Sequence, residues 1–455
     1  MKRIAWLVMT TAAAAVVLST AALARQPNVI VFLADDEGYG ELGCQGNKEI
    51  PTPHIDSIAA GGIRFTAGYV SGPYCSPTRA GLLTGRYQTR FGHEFNGGGN
   101  AGNPPFGLPM SETTIANRMK ELGYATCAIG KWHLGGAPQF VATRRGFDEF
   151  FGTVANTPFF HPPQFIDSRV STEPKRVDDP NFYTTDAYGE RAVDWIEEQK
   201  DQPFFLYLPF NAQHAPLEAT EKYLARFANI ADEKRRKFAA MMSAKDDAVG
   251  RVLAKVKEIG QEENTLVWYL ADNGGPTAST TSKNDPLRGF KSTTWEGGVR
   301  VPFMVKWPGK IPAGKVDDRP VIQLDILPTC VAAAGGEAKA DWKVDGVNLL
   351  PYLTGQKSER PHETLYWRFG PQWAIRHGDW KLVKARDIAA PALFDLTADI
   401  SEQNDLASKE PGKVAELKGV WDAWNAEQKP PLWEPADGGK KKKGGKGKAK
   451  AKTKA

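Results

Sequence analysis

Asn28-Val-Ile-Val-Phe-Leu-Ala-Asp35-Asp36 is a flat apolar run that stops abruptly at two acids. Three other runs have the same shape: Ala125-Thr-Cys-Ala-Ile-Gly130, Pro203-Phe-Phe-Leu-Tyr-Leu-Pro-Phe-Asn211 and Thr265-Leu-Val-Trp-Tyr-Leu-Ala-Asp272. Runs of this length, rich in Val, Ile, Phe and Tyr and lacking polar alternation, fit strands covered on both faces. Between them, Ile55 to Ala60, Thr113 to Leu122, Tyr188 to Gln199 and Arg235 to Lys257 carry apolar residues at helical spacing. Strands alternating with helices predict an α/β fold, with a large, mostly parallel central sheet flanked by helices.

The C-terminal part reads differently. Thr364-Leu-Tyr-Trp-Arg-Phe-Gly370, Gln372-Trp-Ala-Ile-Arg-His377, Trp380-Lys-Leu-Val-Lys384 and Ala392-Leu-Phe-Asp-Leu-Thr397 are short strand-like pieces joined by tight turns. They predict a small antiparallel sheet, followed by a helix from Gly412 to Glu427. The resulting division is a catalytic domain over residues 25–360 and a C-terminal subdomain over residues 361–437. With 41% hydrophobic and 24% charged residues in 455, the chain has the balance of a globular protein and can bury a sizeable core.

Both ends stand apart from that core. Lys2-Arg3, the apolar stretch Ala5 to Leu18 and the small-residue pattern Ala22-Leu-Ala24 make residues 1–24 a secretory signal peptide. The stretch is short for a spanning helix, so no stable membrane anchor is expected and the mature protein should be periplasmic or secreted. Residues 438–455 carry nine lysines and no acid. Removing those nine charges and the two basic residues of the signal peptide from the formal +5 leaves −6 for residues 25–437. The folded body is therefore mildly acidic, which argues against a nucleic-acid partner. The Lys-rich tail reads as disordered, either an incidental solubilising end or a non-specific attraction for polyanions.

Each buried run ends in polar residues for which a core has no use: Asp35-Asp36, Lys131 and His133, His214, and Asp272-Asn273. In an open parallel sheet the carboxyl ends of the strands lie along one edge, where ligands bind. Asp35, Asp36, Asp272 and the amide oxygen of Asn273 are hard oxygen donors, suited to Ca2+, with Mg2+ second, rather than to Zn2+. Crowded carboxylates repel without a cation, so a bound metal is the natural reason to assemble them. Around such a metal, Arg79, Lys131, His133, His214 and Lys291 would form a cationic ring for a tetrahedral oxyanion. His54 is assigned a structural role. Four cysteines are too few for a disulfide framework. Cys127 lies in an apolar run and Cys330 on a helix face, whereas the neighbours of Cys75 are unusual.

Those neighbours are Cys75-Ser-Pro-Thr-Arg79, continuing Ala80-Gly-Leu-Leu-Thr-Gly-Arg86. With Gly130-Lys-Trp-His-Leu-Gly135, His214-Ala-Pro-Leu217, Asp272-Asn-Gly274, Gly289-Phe-Lys-Ser292 and Glu296-Gly-Gly-Val-Arg-Val-Pro302, the stretch from Asn28 to Pro302 resembles the type I, formylglycine-dependent sulfatases. These belong to the alkaline phosphatase superfamily, and the likeness is to its arylsulfatase and N-acetylgalactosamine-6-sulfatase branch. The resemblance implies that Cys75 is oxidised to Cα-formylglycine by a formylglycine-generating or anaerobic sulfatase-maturating enzyme. The hydrated aldehyde would attack a sulfate ester, and the re-formed carbonyl would then expel sulfate. It further implies that Asp35, Asp36, Asp272, Asn273 and the modified Cys75 hold Ca2+. Arg79 would steady the diol and His133 would assist its deprotonation. Lys131, His214 and Lys291 would hold sulfate oxygens, with His214 or Lys291 protonating the leaving group.

Phosphate hydrolases of similar fold use two Zn2+ ions held by several histidines, where this chain has Asp and Asn. A cysteine-dependent phosphatase loop needs five residues between Cys and Arg, and here there are three. A binding protein for sulfated polysaccharide stays open if Cys75 remains a thiol. Sulfated carbohydrate is the expected substrate. The aromatic stretch Asn156 to Pro163 and the Trp367–Trp373 region are candidate sugar-binding surfaces, with ordinary packing as the other reading, and His93, His161 and Arg376 are candidate substrate contacts.

Overall fold

The computed structural model describes residues 25–97 and 106–434. Residues 1–24, where a signal peptide is expected, and the Lys-rich tail at 438–455 lie outside the described residues. Among those described, ten strands form one twisted sheet in the order Lys315–Asp317, Ile63–Phe65, Phe303–Lys306, Thr265–Ala271, Asn28–Ala34, Phe204–Pro209, Ala125–Lys131, Glu149–Thr153, Phe165–Asp167, Ser171–Lys175. The five middle strands, from Thr265–Ala271 to Glu149–Thr153, are mutually parallel. They include all four apolar runs read from the sequence. All seven residues of Asn28–Ala34 are buried, as the missing polar alternation requires.

Alternate side chains of this strand enter opposite layers. Ile30 and Phe32 pack with Tyr188, Trp195 and Met241 from the helices Thr184–Glu198 and Glu233–Glu258. Val29, Val31 and Leu33 pack with Leu83, Met119 and Leu327 from the helices Cys75–Thr84, Ile115–Glu121 and Ile326–Ala333. Fully burying each such side chain stabilises the fold by ~1.5–3 kcal/mol, so the central strand is fixed on both faces. Cys127 and Cys330 are buried in these layers. His54, assigned a structural role, is exposed on the first turn of the helix Pro53–Ala60.

The sheet edges were not legible from the sequence. Phe303–Lys306 is antiparallel to both Ile63–Phe65 and Thr265–Ala271, and Phe165–Asp167 and Ser171–Lys175 form an antiparallel ribbon at the other edge. These are short strands with little apolar periodicity of their own.

The second sheet is antiparallel throughout, with Thr364–Phe369, Gln372–His377, Trp380–Lys384 and Ala392–Asp395 in chain order. Helix Pro411–Ala426 covers it through Leu417, Trp421 and Trp424. Trp367 and Trp373, read as candidate sugar-stacking residues, are part of this packing. Trp367 is fully buried, with its indole N–H on the Val70 carbonyl at 2.7 Å, and Trp373 stacks on Trp421 at 4.8 Å. Among the described residues no helix is long and apolar enough to cross a membrane.

Candidate active site

Parallel registry places the functional strand ends side by side. Ala34 lies opposite Ala271, so Asp35 and Asp272 leave adjacent strands at the same level. The backbone N–H of Asp36 donates to the Asp272 carboxylate at 3.2 Å. Asp36 has φ +62°, a conformation open to Asp at modest cost, and this turn brings its carboxylate back beside that of Asp35. Gly130, with φ +131°, is required on the strand Ala125–Lys131, beside Phe204–Pro209, where a Cβ would stand 1.9 Å from the Pro209 carbonyl oxygen.

Cys75 is the first residue of helix Cys75–Thr84, every residue of which is buried. Its Sγ is 3.4 Å from Asp35 Oδ1, 4.0 Å from Asp36 Oδ1 and 3.3 Å from Lys291 Nζ. One turn on, Arg79 donates to Asp272 Oδ2 through Nε and Nη2 at 3.1 and 2.8 Å, and to the Lys131 carbonyl through Nη1 at 2.7 Å. Lys131 is ion-paired with Asp35, and Lys291 with Asp36 at 2.6 Å. His214 Nε2 lies 3.7 Å from Asp36 Oδ2. Its Nδ1 donates to the Ala215 carbonyl at 2.5 Å.

Burial and the Asp35 charge push the Asp272 carboxyl up to about 7, with Arg79 and Lys131 only partly opposing them. Burial would also raise Asp35, but Lys131, His214, Arg79 and Lys291 together hold it well below the carboxylate range. Burial pushes the Cys75 thiol up, and Asp272 and Asp35 add to the shift. His133 is held well below its usual value by burial and by the positive Lys131 and Arg79. Burial lowers His214 less far, because Asp36 and Asp35 favour its charged form.

Whether these residues suit a hard cation can be judged from their donors. Ligand atoms of Asp35, Asp36, Cys75 and Asp272 lie within 4.8 Å of one another, all in buried side chains. Asn273 donates from Nδ2 to Asp36 Oδ1 at 2.8 Å, while its buried Oδ1 has no hydrogen-bond partner. Three carboxylates and an amide oxygen without a hydrogen bond suit an oxygen-seeking divalent ion, and the His214 ring comes within ligand reach of Asp36 and Cys75 at the edge of the set. The charge count agrees. Three carboxylates face three cations, so an added divalent cation would leave the site positive and attractive to an anionic ligand.

The group opens to solvent through a cavity of about 290 Å³ lined by Asp36, Tyr74, His214, Phe290, Lys291 and Ser292, among others. Tyr74 and Phe290 were not singled out from the sequence. Phe290 lies within the Gly289–Ser292 motif, so an aromatic beside Lys291 was available as a signal. The earlier candidates for substrate contact lie elsewhere. His93 is fully buried behind the helix, with Nε2 on Ser76 Oγ at 2.6 Å. Ser76 gives its proton to the His133 carbonyl at 2.7 Å, so His93 must be the donor to Ser76. Burial lowers His93 to about 3, and it is a neutral brace for His133. Arg376 donates to Tyr69 Oη at 2.7 Å and to the Gly378 carbonyl at 3.1 Å, and is 6% exposed. His161 is half-buried, with Nδ1 3.3 Å from the Val177 carbonyl. None of the three lines the cavity. A further pair missed by the sequence reading is Lys245 and Glu37, buried and ion-paired, with Tyr269 Oη on Glu37 at 2.9 Å.

A mostly parallel sheet with an acid-lined pocket and a ring of cations at its strand ends is an arrangement suited to binding an oxyanion ligand. The sulfatase family model matches residues 27–336, and the C-terminal model of N-sulphoglucosamine sulphohydrolase matches residues 290–419. N-acetylgalactosamine-6-sulfatase of Canis lupus familiaris is 33% identical, over 80% of this chain and 73% of that protein. Arylsulfatase J of Mus musculus is 31% identical over 90% of this chain and 78% of that protein. The crystal structure of Ps i-CgsB in complex with k-i-k-neocarrahexaose superposes with a TM-score of 0.82 at 34% identity, covering 90% of this chain and 95% of that one. The chain belongs to the sulfatase family and is a sulfuric ester hydrolase.

Proposed function

We propose that this protein is an exported, Ca2+-dependent sulfatase that removes sulfate esters from carbohydrates, using a formylglycine made from Cys75. The observation that carries the reading is the position of Cys75. It begins a buried helix, in contact with Asp35, Asp36 and Lys291, where the family motif Cys-x-Pro-x-Arg sets it. The similarity to a protein named N-acetylgalactosamine-6-sulfatase and to a structure bound to a neocarrahexaose supports a sulfated sugar as substrate.

Asp35, Asp36, Asp272 and Asn273 would hold the Ca2+, which when bound draws charge from a sulfate oxygen. The aldehyde hydrate supplies the attacking hydroxyl. Arg79, fixed by Asp272 and the Lys131 carbonyl, orients that hydroxyl. His133, braced through Ser76 and His93, is the base for the second hydroxyl. Lys131 and Lys291 turn from Asp35 and Asp36 to the sulfate oxygens, and His214 or Lys291 protonates the departing alcohol. Of the two domains, residues 25–360 would hold the reacting atoms and supply the cavity lining, and residues 361–437 would support the cavity rim through Gln372, which donates to the Ser292 carbonyl.

Mass measurement of the tryptic peptide Phe65 to Arg79, from a host that matures such motifs, tests the reading. Conversion of Cys75 to the aldehyde lowers the mass by about 18 units and makes the peptide reactive to hydrazides. Only unmodified thiol, in a host that converts a control sulfatase, would refute the mechanism and favour a binding protein.

A further inference from the structure

The rim of the cavity carries an arrangement that the chemistry above does not use. Phe290, next to Lys291 on the same loop, lines the cavity and is 41% exposed. The guanidinium of Arg386 lies over its ring, 5.3 Å from the centroid. Arg386 belongs to the C-terminal sheet region, just beyond the strand Trp380–Lys384, and is exposed. Among the described residues no carboxylate is paired with its guanidinium.

Its position is built rather than incidental. Gln372 is 5% exposed and uses both ends of its amide on backbone. Nε2 donates to the Ser292 carbonyl at 3.0 Å, and Oε1 accepts from the Arg386 N–H at 3.2 Å. One buried side chain thus ties the loop carrying Phe290 and Lys291 to the loop carrying Arg386. Ser292 has φ +64°, so this tie holds the loop in a conformation it would otherwise rarely adopt.

An exposed aromatic face fits the C–H face of a sugar ring, and an unpaired guanidinium fits a carboxylate or sulfate through two parallel hydrogen bonds. We propose that Phe290 and Arg386 form an outer subsite for the sugar next to the one losing its sulfate, with Arg386 binding an anionic group on that neighbour. Gln372 is a positioning residue for this subsite. The inference rests on the sulfatase reading of the inner site and adds a substrate class: oligosaccharides with negative charge on adjacent units.

The test is calorimetric titration of the full chain in a Cys75→Ala background, which cannot consume the probe. The probes are inorganic sulfate, a chondroitin tetrasaccharide sulfated at C6 of each amino sugar, and the same tetrasaccharide with its carboxylates reduced to alcohols. Arg386→Ala should raise the ratio of the tetrasaccharide Kd to the sulfate Kd by about tenfold, the scale of one charge-assisted pair. Phe290→Ala and Gln372→Leu should raise it by about threefold, and Arg386→Lys by less than Arg386→Ala. If carboxylate reduction alone reproduces the Arg386→Ala effect, the partner is a carboxylate; if the effect persists after reduction, it is a sulfate. An unchanged ratio in Arg386→Ala, or no tetrasaccharide binding by the parent protein, overturns the subsite. Turnover of 4-nitrophenyl sulfate by the matured wild type separates the two readings. Absent turnover with a changed ratio refutes the sulfatase mechanism alone, and turnover with an unchanged ratio refutes the subsite alone.

Discussion

Two groups of buried charge lie on either side of the Lys291 loop, and they behave differently. At the strand ends, Asp35, Asp36 and Asp272 meet Arg79, Lys131 and Lys291, with the Asn273 oxygen unpartnered and with Lys291 and His214 reaching a cavity. Beneath the C-terminal sheet, Glu296 and Glu402 meet Lys381 at 2.8 and 2.9 Å, and Arg300 reaches Glu296 at 3.2 Å. Lys381, Glu296 and Glu402 are all fully buried. Glu402 also accepts the Glu296 backbone N–H at 2.7 Å, so this second group clamps the helix Glu296–Val299 to the small sheet. Burial and charge are alike in the two places. What differs is the opening to solvent and the partner of the unbonded oxygen: Glu402 Oε1 still faces Lys381 at 2.9 Å, whereas the Asn273 amide oxygen has no hydrogen bond, and these mark the site that expects a ligand.

The strongest break of this comparison would come at Cys75. Cys75→Ala should lower kcat for 4-nitrophenyl sulfate by about 10⁴-fold or more, while thermal denaturation stays close to wild type because the side chain removed is small. Turnover surviving at near the wild-type rate would remove the open group's claim to be the active site.

The two lysines should then separate activity from stability. Lys291→Ala should cost about 10²–10³ in kcat/KM, the scale of one lost oxyanion donor, on top of a lowered denaturant midpoint because Asp36 loses its paired cation. Lys381→Met leaves Glu296 and Glu402 without their shared cation and should cost about 3–5 kcal/mol of stability. Its kcat, measured on the folded fraction, should change far less than that of Lys291→Ala. The opposite pattern would reverse the assignment of the two groups.

Metal addition sharpens the contrast further. Ca2+ at a hundred times its Kd should stabilise the wild type by about 2.7 kcal/mol, read as a rise in Tm over the EDTA-treated protein. Asn273→Ala should reduce that rise, whereas Lys381→Met should keep it. A Ca2+ response unaffected by Asn273→Ala would place the ion elsewhere.

The smallest effect concerns His362, which bonds the buried Asp325 at 2.7 Å. Burial alone would lower His362, but Asp325 outweighs it and raises the imidazole above its usual value. A folded-state value above the unfolded one means the stabilisation is complete below about pH 6.5. It is lost as pH rises through the folded value. His362→Gln should therefore cost about 1 kcal/mol at pH 6 and less at pH 9, measured by urea denaturation at both.

The sequence alone carried the central strands, their helices and the cluster of acids and cations that gathers at the strand ends. Strands covered on both faces are flat apolar runs whatever their neighbours are, and the polar residues where such runs stop need no knowledge of packing to be noticed. The Cys-x-Pro-x-Arg motif is equally local. The sequence reading went astray where identity depends on what lies across space. Arg376 and Arg386 are close in the chain and similar in context, yet one fills the closed group under the small sheet and the other stands exposed at the cavity rim. Trp367 and Phe290 are both aromatic, yet one is core and the other lines the opening. A local pattern fixes which residues a strand or helix presents, whereas which of them stay exposed beside the reacting atoms depends on how distant elements pack over them.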